Sequence, residues 1–462
     1  MKTTFLQKPT PKQLALYFRR TTGLEIPREH QTYKNNTPVP IRPVAEYEEM
    51  GGVVLSYVGT VQPDENHKQL PPSGERTFGI PDDLIIKMQQ LDDKDAEPVH
   101  IFILCAEEKE KETIIDRLQK RAEEENLSFD RELLHLIPWD SDTYWTRDFS
   151  PWWVKYTKIE EEIYAISKHI YTSLGGGSVG MIEGAEELDP REGSGIFRCN
   201  DDYGAVKISD FFNAPIRKWN KENEENGNQK EPIIPHRWFF SGLLNVGGNY
   251  MATSQGVIAS SYLVATQNEL PTDYNPEVPD AKAFDNRMNY IMEQTNRFLG
   301  ANTYHVFTDP TETYIGHIDC WGKFLSDTTV LIAKSKNEKI DSGLDKIAEY
   351  FKEKGFHVYR VICQDICVTV EGKEQKTTAA FTNSLILNKH VYVPLSGEEI
   401  YDRAALNVYQ TALGDAYTIH GIYGKKETPW LGTDALHCRT NTIPRAIVNN
   451  WLKSQSNKSS QQ

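Results

Sequence analysis

The chain has 462 residues, 39% hydrophobic and 25% charged, a soluble globular balance with room for one large domain or two to three ordinary ones. Lysine and arginine number 51 against 66 acidic residues, a formal charge of −15. That balance implies no basic face for nucleic acid and favours approach of cationic ligands.

The opening MKTTFLQKPTPKQLALYF lacks the apolar stretch of a signal peptide, and no run is long enough to span a membrane. Six cysteines are too sparse for a disulfide framework, so a reducing, cytoplasmic location is expected. Residues 1–38 are polar and proline-punctuated and read as an arm. Beyond it a strand–helix–strand unit recurs five times. The first runs from VVLSYV (53–58) through a helix near 82–91 to VHIFIL (99–104). A helix at 109–125, with Ile114, Ile115, Leu118 and Ala122 on one face, leads to LLHLI (133–137). Third, VIASSYLV (257–264) precedes a helix near 284–299 and TYHVF (303–307). Next, TTVLIA precedes a helix at 342–354, ended by Gly355, and FHVYRVIC. Last, LILN and VYVP precede a helix near 399–412, ended by Gly414, and AYTIH. Helices packed outside small sheets give an α/β or α+β architecture. Segments 174–195 and 218–231 read as surface insertions, the tail after about 453 as disordered, and 39–452 as a single catalytic domain.

Four segments at expected strand ends concentrate reactive side chains: YWTRDFSPWW (144–153), GGNYM (247–251), GHIDCWGKF (316–324) and DALHCRTNTIP (434–444). Each is ambiguous alone. Trp145, Arg147 and Asp148 fit a loop anchored by an ion pair, and GGNYM fits a tight turn needing positive φ. On a strand, His317 and Asp319 would share a face. That pair is open to three readings: a metal fragment, an acid with its carboxylate, or a structural hydrogen bond. Cys438 beside His437 fits a buried thiol as well as a nucleophile. Cys363 and Cys367 have no second pair nearby and read as core thiols rather than metal ligands.

The combination narrows the choice. Attack on a guanidinium carbon needs carboxylates to grip the planar N–H fork, a thiolate to approach the plane, and a proton donor for the departing amine. Asp148, Asp319, Cys438 and His317 supply that set. Two carboxylates beside Cys438 should raise its thiol pKa in the empty site.

In the order WTRD, GGNYM, GHIDCW, TNSLILN and LHCRT, and in the opening PVPIRPVAEYEEMGGVVLSY, the sequence resembles the bacterial-type peptidylarginine deiminases, relatives of the agmatine deiminases. The likeness runs from about residue 38 to about 445. It implies a pentein fold, a five-bladed α/β propeller of pseudo-repeated ββαβ modules, and no metal or organic cofactor. It further implies Cys438 as nucleophile, His317 as general acid, Asp148 and Asp319 as guanidinium-binding carboxylates, and Asn383 as an active-site asparagine. Trp145 and Tyr314 match pocket-lining aromatics, and Arg147, Gly247, Gly248 and Asn249 complete the expected substrate-binding set. HCRT and GGNYM favour peptidyl-arginine over agmatine as substrate. Family members that act on C-terminal arginine hold its carboxylate with Asn-Arg-Pro-Arg. The counterpart NAPIR (213–217) has Ala214 and Ile216 where those arginines fall. Expected, then, is hydrolysis of peptidyl-arginine to citrulline and ammonia. The alternatives are deimination of a small guanidine such as agmatine, amidino transfer to an amine, and a non-catalytic guanidinium-binding scaffold.

Overall fold

The computed structural model describes residues 42–59, 76–94, 96–158, 161–171, 199–227, 230–268, 281–311, 315–363, 365–370, 373–424, 430 and 433–456. The expected N-terminal arm, the 174–195 insertion and the last six residues lie outside these.

Five mixed sheets of three or four strands carry the architecture among the described residues. Each contains an antiparallel pair and a parallel step reached through a helix, as parallel pairing requires. In chain order the last three are simple. Val257–Ser261 pairs antiparallel with Met251–Ala252 and parallel with Thr303–Phe307. Thr329–Lys334 stands likewise between Gly322–Ser326 and His357–Ile362. His390–Pro394 stands between Leu385–Leu387 and Thr418–Ile422. Their crossovers are the helices Ala281–Leu299, Glu338–Glu353 and Glu399–Leu413. Gly355 at φ +89° and Gly414 at φ +68° end the second and third of these, as the sequence predicts.

The other two sheets depart from the expected repeat. Met50–Ser56, buried along its whole length, pairs in parallel with His100–Leu104, which pairs in parallel with Leu134–Ile137. The first two expected units therefore form one sheet. Its outer strand is Asn441–Pro444, antiparallel to Met50–Ser56, so the two ends of the described chain close on each other. The remaining sheet, which the repeat does not anticipate, orders Arg42–Pro43, Trp152–Lys158, Glu161–Ile170 and Arg237–Leu244. Its crossover is the helix Cys199–Glu225.

That helix takes up residues 218–225, which the sequence suggests as an insertion. Trp219 and Ile216 are buried with Ile233, while Lys218–Glu222 and Lys221–Glu225 form i,i+4 pairs on the exposed side. The C-terminal helix Arg445–Gln455 similarly extends past the expected tail boundary at 453. Its Ile447, Val448 and Trp451 are buried, and Trp451 packs edge-on against Phe102 and Phe212. No described helix is long and apolar enough to cross a membrane.

Buried charge ties the Cys199–Glu225 helix to its sheet. Lys168, 2% exposed, pairs with Asp202 at 2.5 Å, and Asp202 also accepts from the Tyr171 N–H at 2.7 Å. Next to it, Asp201 accepts from the backbone of Asp142 and Thr143 and from the Thr143 hydroxyl. The helix start thereby latches the loop that leads into Trp145–Asp148. Removing one partner of a buried pair strands the other charge. Asp202→Ala should lower the unfolding free energy by about 3–5 kcal/mol, read from urea midpoints.

Candidate active site

Four backbone turns deliver the reactive side chains to one place. The short helix Thr146–Phe149 carries Asp148, with the Arg147 N–H donating to the Cys438 carbonyl at 3.1 Å. The 3-10 turn Gly247–Asn249 abuts it, and the Gly248 N–H donates to Asp148 Oδ1 at 3.0 Å. Another 3-10 turn, Ile318–Cys320, presents Asp319, with His317 just before it. Cys438 follows His437 in the loop that enters strand Asn441–Pro444.

Residues 247–249 do form a tight turn, but neither Gly247 nor Gly248 has a positive φ, so that part of the expectation for GGNYM is corrected. These glycines are required by proximity. A Cβ on Gly247 would lie 1.9 Å from the Arg147 carbonyl oxygen. On Gly248 it would lie 2.6 Å from His317 Nδ1, 2.9 Å from Asp148 Oδ1 and 3.1 Å from Asp319 Oδ2. One backbone position thus touches three of the expected site residues. The shared-strand expectation for His317 and Asp319 is also corrected, because a turn rather than a strand brings both to Gly248.

Around the sulfur the contacts are specific. Cys438 is 1% exposed; its Sγ donates to Asp319 Oδ2 at 3.3 Å and accepts from Asn383 Nδ2 at 3.2 Å. The Asn383 Oδ1 accepts from the Ala435 and Cys438 N–H groups at 3.0 and 3.2 Å, which shapes the loop as well. His317 Nδ1 stands 3.9 Å from Asp148 Oδ1. Burial, with the Asp319 and Asp148 carboxylates next, pushes the Cys438 thiol well above its ordinary value, the direction expected from the sequence. Burial pushes the Asp319 carboxyl up, but the His437 hydrogen bond and the His437 and His317 charges outweigh it and hold it below the usual range.

The expected substrate-binding residues divide. Trp145 donates its indole N–H to Asp434 Oδ2 at 2.9 Å, beside the nucleophile loop. Arg439, between Tyr144 and Trp430, binds the same oxygen at 3.2 Å and the Gly79 carbonyl at 2.6 Å. The arginine of HCRT therefore braces the wall of the site. Arg147 donates Nε to the His437 carbonyl at 3.2 Å and lines a cavity of about 70 Å³ with Glu46, Lys323, Asp319 and His437, which makes it another brace of this loop. Asn249 has a scaffold role in this arrangement. Its Oδ1 accepts from the Ser261 and Ile318 N–H groups, and its Nδ2 donates to the Ser261 carbonyl. Tyr314 lies outside the described residues. NAPIR is an internal turn of the Cys199–Glu225 helix, with Ile216 buried and Arg217 3.6 Å from Asp210. Cys363 is a buried free thiol, and no cluster fit to hold a metal occurs among the described residues.

Three residues outside the sequence-derived set stand behind Asp319. His437 Nδ1 is 2.8 Å from Asp319 Oδ2, its Nε2 is 3.3 Å from Glu46 Oε2, and Lys323 Nζ is 2.6 Å from that Glu46 oxygen. All three fall within the quoted motifs, and none has a role assigned from the sequence.

Residues 284–444, which include His317, Asp319, Asn383 and Cys438, match the family model for Porphyromonas-type peptidyl-arginine deiminase. The fold is similar to agmatine deiminase of C. jejuni, at 12% identity over 89% of this chain and 98% of that one, with a TM-score of 0.54. It is similar to agmatine deiminase of Enterococcus faecalis, at 15% identity over 89% and 99%, with a TM-score of 0.55. It is also similar to a candidate arginine deiminase of Porphyromonas gingivalis, at 14% identity over 87% and 98%, with a TM-score of 0.53. The fold so defined, one of mixed α/β sheets, is shared with these deiminases. Over residues 284–444 the chain is similar to the Porphyromonas-type peptidyl-arginine deiminases, and its fold is similar to that of the agmatine deiminases.

Because Gly248 touches three site residues, Gly248→Ala should displace His317 and the carboxylates while leaving the sheets intact. Expected is a loss of roughly 100-fold in kcat/KM on a guanidinium substrate, at a largely unchanged melting temperature.

Proposed function

We propose that this protein hydrolyses the guanidinium of peptidyl-arginine to a ureido group and ammonia, within one catalytic domain spanning 39–452 whose five sheets are the blades of a propeller. The observation that carries the chemistry is the convergence of Asp148, Asp319 and His317 on Gly248, with Cys438 Sγ 3.3 Å from Asp319. Asp148 and Asp319 hold the planar N–H fork, and the Cys438 thiolate attacks the central carbon. His317 protonates the departing nitrogen as the C–N bond breaks, and ammonia leaves. Water, deprotonated by the same histidine, then adds to the thiouronium carbon, and the C–S bond breaks to return the thiol and leave the ureido product. Asn383, donating to the sulfur, keeps the nucleophile aimed. The arriving cation offsets the two carboxylates that raise the thiol pKa, so substrate binding itself favours the thiolate.

Peptidyl-arginine is favoured by the family model matched over 284–444. Agmatine is the second reading, favoured by the agmatine deiminases among the solved structures of this fold. The helical NAPIR segment offers Arg217 only at an exposed position beside Asp210, which supports indifference to a terminal carboxylate. The deciding experiment incubates the protein with free arginine, agmatine and peptides bearing internal or C-terminal arginine, and measures ureido product and ammonia. Internal peptidyl-arginine should be turned over, Cys438→Ala should abolish the product, and amidating a C-terminal arginine should change the rate by less than about tenfold. Preference for agmatine establishes the second reading, and ammonia released without an amine acceptor excludes amidino transfer.

Asp148→Asn keeps the shape of the side chain and removes one charge-assisted contact. It should cost about 1.5–3 kcal/mol of guanidinium binding, roughly ten- to a hundredfold in kcat/KM. Normal kinetics in both Asp148→Asn and Asp319→Asn would remove these carboxylates from the mechanism.

A further inference from the structure

A line of buried polar side chains continues behind the nucleophile, and the hydrolytic mechanism does not use it. From the sulfur it runs through Asp319 Oδ2 at 3.3 Å to His437 Nδ1, 2.8 Å beyond. From His437 Nε2 it crosses 3.3 Å to Glu46 Oε2, and 2.6 Å further lies Lys323 Nζ. His437 is 5% exposed and Lys323 3%. Each ring nitrogen of His437 faces a carboxylate oxygen, so each is placed to donate.

The members are anchored on different parts of the fold. Glu46 precedes strand Met50–Ser56, and its second oxygen accepts from the Ile386 N–H at 2.8 Å, three residues after Asn383. Lys323 lies on strand Gly322–Ser326, directly after the turn that carries Asp319. The His437 N–H donates to the Asn383 carbonyl at 3.0 Å. A histidine filling space in a core needs no such agreement between three sheets.

Asp319 has little else to fix it. Its other close polar neighbours are the thiol itself and a long 3.8 Å contact from Cys320 to Oδ1. A carboxylate that grips a planar fork must keep its own plane fixed, and a donor on one oxygen does that. We propose that His437 is a positioning residue that orients the Asp319 carboxylate for the guanidinium, and that Glu46 and Lys323 hold His437 in place from behind. This rests on the proposed guanidinium chemistry for its ligand, but not for the arrangement of the free protein. Burial acts on the Glu46 carboxyl in the opposite sense to Lys323, His437 and Arg147. Burial pushes it up, and the Lys323 and His437 charges outweigh that and hold it below the usual range, consistent with a carboxylate locked between two donors.

The test exploits amide side chains of different reach. Asparagine at 437 sets an amide N–H near the position of Nδ1, toward Asp319. Glutamine reaches toward the position of Nε2 and Glu46. In a Cys438→Ala background, which cannot turn substrate over, binding of agmatine and of acetyl-arginine amide is measured by calorimetry. His437→Gln should weaken binding of the better ligand by about tenfold or more, and His437→Asn should stay within about threefold of the parent. Glu46→Gln, which preserves size, should weaken it in the same direction by less than His437→Gln. Equal effects of Asn and Gln, or none from Gln in a protein of unchanged melting temperature, would overturn the proposal. If His437 variants fail to fold, Glu46→Gln with parental affinity overturns it alone.

A second readout needs no guanidinium and separates failure of this proposal from failure of the proposed function. The pH dependence of iodoacetamide labelling at Cys438 is followed by peptide mass mapping in the protein with its cysteine intact. Asp148, Asp434 and Cys320 also face the sulfur, and His317 faces Asp319; all remain in these variants. Unpinned, Asp319 loses its fixed contact with the thiol, which then ionises more readily. The labelling midpoint should fall by roughly half a pH unit or more in His437→Gln and stay in place in His437→Asn. A parent that binds neither ligand overturns the proposed function, while this labelling contrast still decides the role of His437: present, it supports positioning; absent, it overturns it.

Discussion

Strand Asn441–Pro444 finds its edge on Met50–Ser56, from the other end of the described chain, and the site depends on that pairing. Met50 stands opposite Pro444, so the segment just before one strand and the loop just before the other are brought side by side. Glu46 lies in the first and His437 and Cys438 in the second. The pairing therefore places the sulfur and the charges behind it in a single step. Without it the nucleophile loop would have no fixed relation to the Thr146–Phe149 turn, whose Arg147 N–H reads the Cys438 carbonyl.

Around that frame neighbouring charges oppose burial at Asp319, Glu46 and Lys323 and reinforce it at Cys438. Cys438, Asp319, Glu46 and Lys323 all sit where desolvation disfavours their charged forms. The two carboxyls are nevertheless held below their usual range, Asp319 chiefly by the His437 hydrogen bond and Glu46 chiefly by Lys323. The thiol has carboxylates for neighbours and is pushed up. An empty site so arranged is short of positive charge at the sulfur, which is what a guanidinium brings.

Much of the fold was legible because its signals are local. Runs such as TTVLIA and VHIFIL are buried strands, and Gly355 and Gly414 stop helices at positive φ. The sheet built on Trp152–Lys158 and Glu161–Ile170 escaped because lysines and glutamates interrupt it. One of them, Lys168, is buried against Asp202, a partner from a distant helix that no spacing rule connects to it. Within the site, Cys438, His317, Asp319 and Asp148 were legible from the chemistry a guanidinium demands. The role of Gly248 was misread because its constraint is the nearness of three side chains rather than its own dihedral angle. The bonds of the Asn249 amide to the backbone of Ser261 and Ile318 carried no sequence signal, because they join separate turns. Glu46 and Lys323 fall inside quoted motifs, but their pairing gave no signal, since no spacing rule connects an acidic and a basic residue so far apart in sequence.

The same sequence separations decide when in folding the site can form. Its residues arrive from segments around 46, 148, 248, 317, 383 and 438, so almost every contact in it is long-range in sequence. Loop-closure entropy opposes each such contact, and local helices and strands cannot offset it until the sheets have formed. The site is thus an outcome of completed folding rather than a nucleus for it. Backbone donors then fix what the side chains cannot: the Gly248 N–H on Asp148, the Ile386 N–H on Glu46, and the Cys438 and Ala435 N–H groups on Asn383. Backbone atoms on turns between packed sheets have little rotamer freedom to lose, so carboxylates and amides tied to them keep their planes. For a reaction that depends on gripping one flat cation while a sulfur approaches its face, that fixed geometry is the physical requirement these turns meet.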